Sequence, residues 1–312
     1  MTGTERIPEL SFMLKSYGPD LPFAARLVDS FERYVQGEIL LHVLVPDDDV
    51  ADFDALSSPR VRVHAESLLL SHLVSEPFAG FSAGYMNQQI VKLAFWELGL
   101  CENYLCVDSD AVFVRPFSRA DFMAEPGVPY TFLTEDAELR SEPEYFQEHW
   151  QSREPRLRRI QEAVGLDTDR LLTCHQHAVF SAAALRSFRD EFLRPQGFDY
   201  KDVLAISPYE FAWYNMWVQK REPIPLVIRE PIFKTFHNAS QHLEYLLAGV
   251  TEADVARSYV GLVVNSNYSR GAGVIGLDDS RSSSFASYLT VPQLLRASVH
   301  ASVRRLSRRP AS

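Results

Sequence analysis

The stretch Asn103-Tyr-Leu-Cys-Val-Asp-Ser-Asp-Ala-Val-Phe-Val-Arg-Pro-Phe117 decides how the rest of the chain is read. A greasy run from Tyr104 to Val107 halts at two carboxylates, Asp108 and Asp110, and apolar residues resume from Ala111 to Val114. In water-poor surroundings an unpaired carboxylate costs several kcal/mol, so a buried strand ending in two acids needs an offsetting cation. A divalent metal that binds a diphosphate is the expected partner; two acids in an exposed turn are the plainer alternative.

Upstream of that stretch, Leu10 to Leu14, Ile39 to Val45 and Val61 to Ala65 read as buried strands. The loop Lys15 to Asp20 has turn chemistry, and Asp20 with Pro22 opens a helix over 21–34. Asp47 to Asp49 reads as a capped helix start rather than a metal site. Strands alternating with helices imply right-handed crossovers and a parallel sheet. A helix spans 84–99, with Val91, Ala94, Phe95 and Leu98 at helical spacing and Gly99 at its end. Gln88 and Lys92 share one face with Gln89 beside them, either as plain solvent-facing residues or with Lys92 reaching a phosphate near the acid pair.

Downstream, Thr134 to Gln161 is charged and helical, with no chemistry assigned to it. Leu171 to Phe180 returns to strand character, where His175 and His177 would share one face of an extended backbone as hydrogen-bonded or substrate-lining groups. Ser181 then caps a helix over 182–193. Ser207-Pro-Tyr-Glu210 has the pattern of a capping box, and Glu210 would also sit at a helix start where a sugar hydroxyl could meet it. Phe211, Trp213, Tyr214 and Trp217 behind it read as core. Leu226 to Ile228 is a further strand, and the apolar, aromatic segment from Ile232 leads through His237 to a helix capped by Asn238; Val263 opens a last strand, and Arg270 is a candidate phosphate contact. A neutral imidazole such as His237 can complete a metal sphere begun by two carboxylates.

The 312 residues, 46% hydrophobic and 12% aromatic, suffice for a large α/β domain. A net charge of −10 argues against general nucleic-acid binding. Beyond Asp279 the only charged side chains are Arg281, Arg296, Arg304, Arg305, Arg308 and Arg309, so the body is six units more acidic than the whole. From about Pro292 this tail has the spacing of a short basic amphipathic helix, suited to an anionic membrane surface or to the protein's own acidic body. Three cysteines without paired spacing, no apolar leader and no long apolar run predict a cytoplasmic protein, with the inner membrane face as the contact the tail would make.

The segment Leu105-Cys-Val-Asp108-Ser-Asp110 resembles the DxD motif of nucleotide-sugar glycosyltransferases of the GT-A fold, and the helix bearing Gln88, Gln89 and Lys92 and the opening strand followed by Ser16-Tyr17 are similar too. Over residues 8 to 270 the chain looks most like a group of little-characterised microbial glycosyltransferase-like proteins. The resemblance implies an α/β fold, a single Rossmann-like GT-A domain over 1–275 with a mixed, mostly parallel central sheet flanked by helices. Within it, 1–125 would bind nucleotide and metal and 126–275 the acceptor, followed by the basic tail over 276–312. It implies that Asp108 meets ribose or metal, that Asp110 ligates Mn²⁺ or Mg²⁺, that Tyr17 lies near the base, and that His237 is a further metal ligand. The expected activity moves a sugar from a nucleoside diphosphate sugar, a UDP-sugar by preference, to a hydroxyl of a glycan, lipid-linked or small-molecule acceptor. In an inverting enzyme Glu210 would be the base; in a retaining one it would orient the acceptor. Two alternatives stay open: a haloacid-dehalogenase-type phosphohydrolase with Asp108 as nucleophile and Asp278-Asp279 as its late acids, and a non-catalytic nucleotide-sugar-binding protein.

Overall fold

In the computed structural model the described residues are 7–134, 143–174, 177–237, 241–242, 245 and 248–265. The strands run Leu10–Lys15 (β1), Leu40–Val45 (β2), Val61–Ala65 (β3), Asn103–Val107 (β4), Ala111–Phe113 (β5), Met123–Glu125 (β6), Val128–Phe132 (β7), Val179–Ser181 (β8), Val227–Arg229 (β9), Phe233–Phe236 (β10) and Gly261–Val264 (β11). The chain forms two compact units. The first holds Met1–Leu21, Val35–Ser109 and Phe117–Pro231, and the second Pro22–Tyr34, Asp110–Pro116 and Ile232–Ser312.

The first unit is an α/β layer around a five-stranded sheet in the order β3-β2-β1-β4-β8. Four strands are parallel and β8 runs antiparallel to β4, with Asn103 opposite Ser181. All six residues of β1 and all five of β4 are buried, which is why these runs carry no polar alternation. The chain steps outward from β1 to β2 to β3, then returns to lay β4 on the other side of β1. That reversal makes the carboxyl ends of β1 and β4 the topological switch point, where open α/β sheets bind their ligands. The connecting helix Ala83–Ala94 is capped by Ser82, whose Oγ accepts from Tyr85 N at 3.3 Å, and its continuation ends at Gly99 with φ +66°. It packs on β1 and against the Tyr200–Ile206 and Glu210–Arg221 helices. Tyr104 fixes it from below, with its ring edge-on to Phe95 and its hydroxyl donating to Lys92 O at 2.7 Å. A smaller sheet, β6-β7-β9, completes the unit.

The second unit has its own sheet, β10-β11-β5, in which β10 and β11 are parallel and β5 is antiparallel to β11. Val112, Val114, Phe236, Val255, Leu262 and Val264 form its core. Phe113 packs on Phe31, and its N–H donates to Ser30 Oγ at 3.0 Å. Gly261 lies under Phe233, where a Cβ would sit 2.3 Å from the ring.

Several local expectations are corrected. Asp20 lies in a 3-10 turn, Gly18–Asp20, that runs straight into the Leu21–Tyr34 helix. No side-chain cap forms over Asp47–Asp49; instead Asp49 accepts from Gly18 N at 2.7 Å. The Ser207 capping box is absent because the next helix starts two residues later than the pattern implies, with Tyr209 at its N-cap and Glu210 at its first position. Ser207 instead ends the Tyr200–Ile206 helix. Among the described residues of 171–180 strand structure is confined to the start of β8, and His177 has φ +55°, so its backbone is not extended. Among the described residues no helix is long and apolar enough to cross a membrane. The basic tail lies outside the described residues.

Candidate functional site

At the switch point the helix Ala83–Ala94 lowers Lys92 toward the end of β4. Its Nζ lies 2.9 Å from Asp108 Oδ1 and 2.9 Å from Glu210 Oε1, and 4.8 Å from the centre of the Phe211 ring. The side chains of Lys92 and Glu210 are 4% and 7% exposed, whereas that of Asp108 is 22% exposed. Solvent therefore meets this triad chiefly through Asp108. Gln89, one turn before Lys92, completes the cluster; with its amide nitrogen turned to Glu210 it donates to Oε1 at 2.8 Å and Oε2 at 2.6 Å.

Burial alone would lower the Lys92 pKa, but Asp108 and Glu210 outweigh it and raise the value, so the ammonium stays charged. For Asp108, burial acts upward and is overcome by Lys92, which holds the carboxyl below its usual 3.8. His177 is pushed to about 4 by burial, against the pull of Asp108, and is neutral at pH 7. Its Nε2 accepts from Asp108 N at 3.4 Å, which assigns the ring proton to Nδ1. Two anions around one buried cation leave the triad with a net charge of −1.

Further groups stand at the ends of these strands, of which Ser16 figures in the sequence reading and Ser109, Lys15 and Glu66 were given no role there. Ser16, after β1, and Ser109, after β4, join their hydroxyls at 2.9 Å across the switch point. Lys15 pairs with Glu66 at 2.9 Å beyond β3. Ser109 is the middle residue of Asp-Ser-Asp, a position that the acid pattern itself leaves unread.

The structure thus brings Lys92, Gln89, Asp108, His177 and Glu210 together. Gln88 is half-buried on the same helix, and Tyr17 is 42% exposed just past β1. Asp110 and His237 belong to the second unit. There Asp110 O accepts from Val264 N at 3.1 Å, and Phe236, which precedes His237, is in register with Val264. Asp110 and His237 therefore stand at the same end of that sheet, with β11 between their strands. Among the described residues no three His, Cys, Asp or Glu side chains are grouped to hold a metal ion. His175 and Arg270 lie outside the described residues.

No curated protein matches the sequence. Among solved structures, the apo form of mouse xyloside xylosyltransferase 1 is 12% identical with a TM-score of 0.47, covering 83% of this chain and 98% of that one. The apo bifunctional glycosyltransferase WbbM is 10% identical with a TM-score of 0.49, and the match covers 96% of this chain but spans about half (52%) of WbbM. The sequence model of one protein family matches residues 9–250, the greater part of the chain, which therefore belongs to the "Family of unknown function (DUF6492)".

Proposed function

We propose that this protein is a glycosyltransferase that moves a sugar from a nucleoside diphosphate sugar, a UDP-sugar by preference, to an acceptor hydroxyl in glycan or polysaccharide synthesis. The observation that carries the reading is the Lys92–Asp108–Glu210 triad, buried except at Asp108, at the switch point of a parallel sheet. The exposed side of Asp108 is suited to accept from sugar or ribose hydroxyls, with Lys92 fixing its orientation. Hydrogen bonds from Lys92 and Gln89 engage the Glu210 oxygens. In this reading Glu210 therefore anchors Lys92 and helps orient the acceptor instead of taking its proton.

A triad of net charge −1 repels a diphosphate, so the reading calls for a further cation. Mn²⁺ or Mg²⁺ is proposed, with Asp110 and His237 as ligands on the strength of their shared sheet end. When bound, the ion would neutralise the charge that grows on the leaving diphosphate.

The test is UDP release from a panel of UDP-sugars with Mn²⁺, alongside calorimetric UDP binding with and without the ion. Asp110→Ala is expected to lower turnover by at least about 100-fold, the scale of several kcal/mol of lost charge stabilisation. Unchanged turnover in that variant, or UDP binding indifferent to the ion, would overturn the reading.

A further inference from the structure

Beside Glu210 the first unit presents an aromatic and cationic face that the chemistry above does not use. Phe78-Ala79-Gly80-Phe81 is a tight two-residue turn closed by Phe78 N–H to Phe81 O at 2.9 Å and Phe81 N–H to Phe78 O at 3.0 Å. Both central residues have positive φ, +53° at Ala79 and +85° at Gly80, the geometry of a rigid hairpin turn. The turn fixes Phe81 so that its ring stacks on Tyr85, with centroids 5.2 Å apart and planes 26° from parallel. Tyr85 is 37% exposed, and the Ser82 cap holds its backbone.

On the other side, Tyr209 immediately precedes Glu210, and the Pro143–Val164 helix lays two arginines over its ring. Arg153 lies 4.6 Å from the centroid and Arg156 5.9 Å. Arg153 is 4% exposed and donates to Cys174 O at 3.2 Å. Arg156, three residues on along the same face, is half-exposed and forms no ion pair with a carboxylate among the described residues. The two halves flank Glu210: Tyr85 lies one helical turn before Gln89, which reaches the Glu210 carboxylate, and Tyr209, the ring under Arg156, immediately precedes Glu210. The Tyr85 hydroxyl is pushed up to about 12 by burial and then by the charge of Glu210, while Lys92 and Arg156 act the other way. In a body this acidic, an arginine with no ion pair among the described residues, on the far side of Glu210 from an exposed aromatic stack, suits anion recognition.

We infer that the Phe81–Tyr85 stack and Arg156 form the acceptor subsite, and that the acceptor is a pyranoside carrying an anionic substituent, a carboxylate or a phosphate. This rests on the glycosyl-transfer reading of the neighbouring triad. The ring stack takes the apolar face of the pyranose, and the guanidinium takes the anion in a two-pronged hydrogen bond. The Tyr209 ring lies under the Arg156 guanidinium and positions it.

The test measures binding of three probes to the full chain by calorimetry: a β-glucuronide, a β-glucoside 6-phosphate and the neutral β-glucoside. UDP with Mn²⁺ is measured on the same samples. An anionic probe is expected to bind at least about tenfold more tightly than the neutral one, the scale of one charge-assisted hydrogen bond. Glucuronide and phosphate arms tell carboxylate from phosphate recognition. Arg156→Ala should abolish that preference and Arg156→Glu should reverse it. Tyr85→Ala should weaken all three probes alike, by about 3–10-fold. Thermal unfolding of each variant separates lost recognition from lost fold. Equal binding of the three probes, binding of none, or a preference that survives Arg156→Ala overturns the subsite whether or not UDP binds. Absent UDP binding refutes the transfer reading and leaves the probe result to be judged by itself.

Discussion

Lys92→Met removes the one buried cation between two carboxylates while keeping the length and apolar contacts of the stem. Breaking a buried pair by deleting one partner costs about 3–5 kcal/mol, because the remaining charge has no compensation. For a domain of this size that loss lowers the unfolding midpoint on the order of 10 °C. The pH dependence follows from the direction of the shifts. Asp108 titrates below its usual 3.8 in the native protein, so its stabilising contribution is present above that value and fades only in acid. The Lys92 pKa is raised, so its contribution is complete below 10.5 and is lost only at more alkaline pH. Across the neutral range the native protein is thus flat with respect to this pair. The variant should not be: without the ammonium Asp108 titrates higher, and the destabilisation should be largest near pH 8 and shrink toward pH 5. Lys92→Met/Glu210→Gln, which removes one of the two charges, should regain at least about half of the loss. Thermal unfolding of the three proteins between pH 5 and 8 reads this out. A midpoint unchanged in Lys92→Met, or a double variant less stable than the single one, refutes the account of the triad.

Two further expectations concern the frame around the site. His72 contacts Asp199 at 3.0 Å and Glu97 at 3.5 Å, and these carboxylates raise its pKa to about 9. Its stabilisation is complete below pH 6.5 and is lost as pH rises toward 9, so His72→Gln should lower stability by about 1–3 kcal/mol at the acid end of that window and hardly at all above it. A loss independent of pH in chemical denaturation would contradict this. Gly261→Ala would place a methyl 2.3 Å from the Phe233 ring and 2.8 Å from Val112 O. Overpacking of this kind costs about 1–3 kcal/mol, and Phe233→Leu in the same chain should recover part of it, as a denaturant midpoint would show.

The parallel core was legible because β1, β2 and β4 are buried on both faces, so their apolar runs are continuous and their ends abrupt. Gly99 marked a helix end for the physical reason that its φ is +66°. Lys92 was legible as a partner of the acids, though toward a phosphate; the structure sets its charge against Asp108 and Glu210, and the Lys92–Glu210 contact, 118 residues apart, is one that no local pattern encodes. Ser207-Pro-Tyr-Glu210 misled because the preceding helix runs up to Ser207 and the next begins only at Glu210, a boundary that the tetrapeptide pattern does not encode. The π-helical turn at Phe188–Leu193 and the antiparallel set of β8 depend on long-range packing and left no periodic trace.

His177 shows what the site takes from the rest of the molecule. A histidine at φ +55° occupies a conformation that costs about 1–2 kcal/mol and that glycine would adopt freely. Glycine, however, would leave the N–H of Asp108 without its imidazole acceptor. The chain accepts local instability to keep a polar ring at the lip of β4, and selection for thermostability alone would be expected to erase it. Position 177 is therefore where robustness and activity should trade against each other most openly.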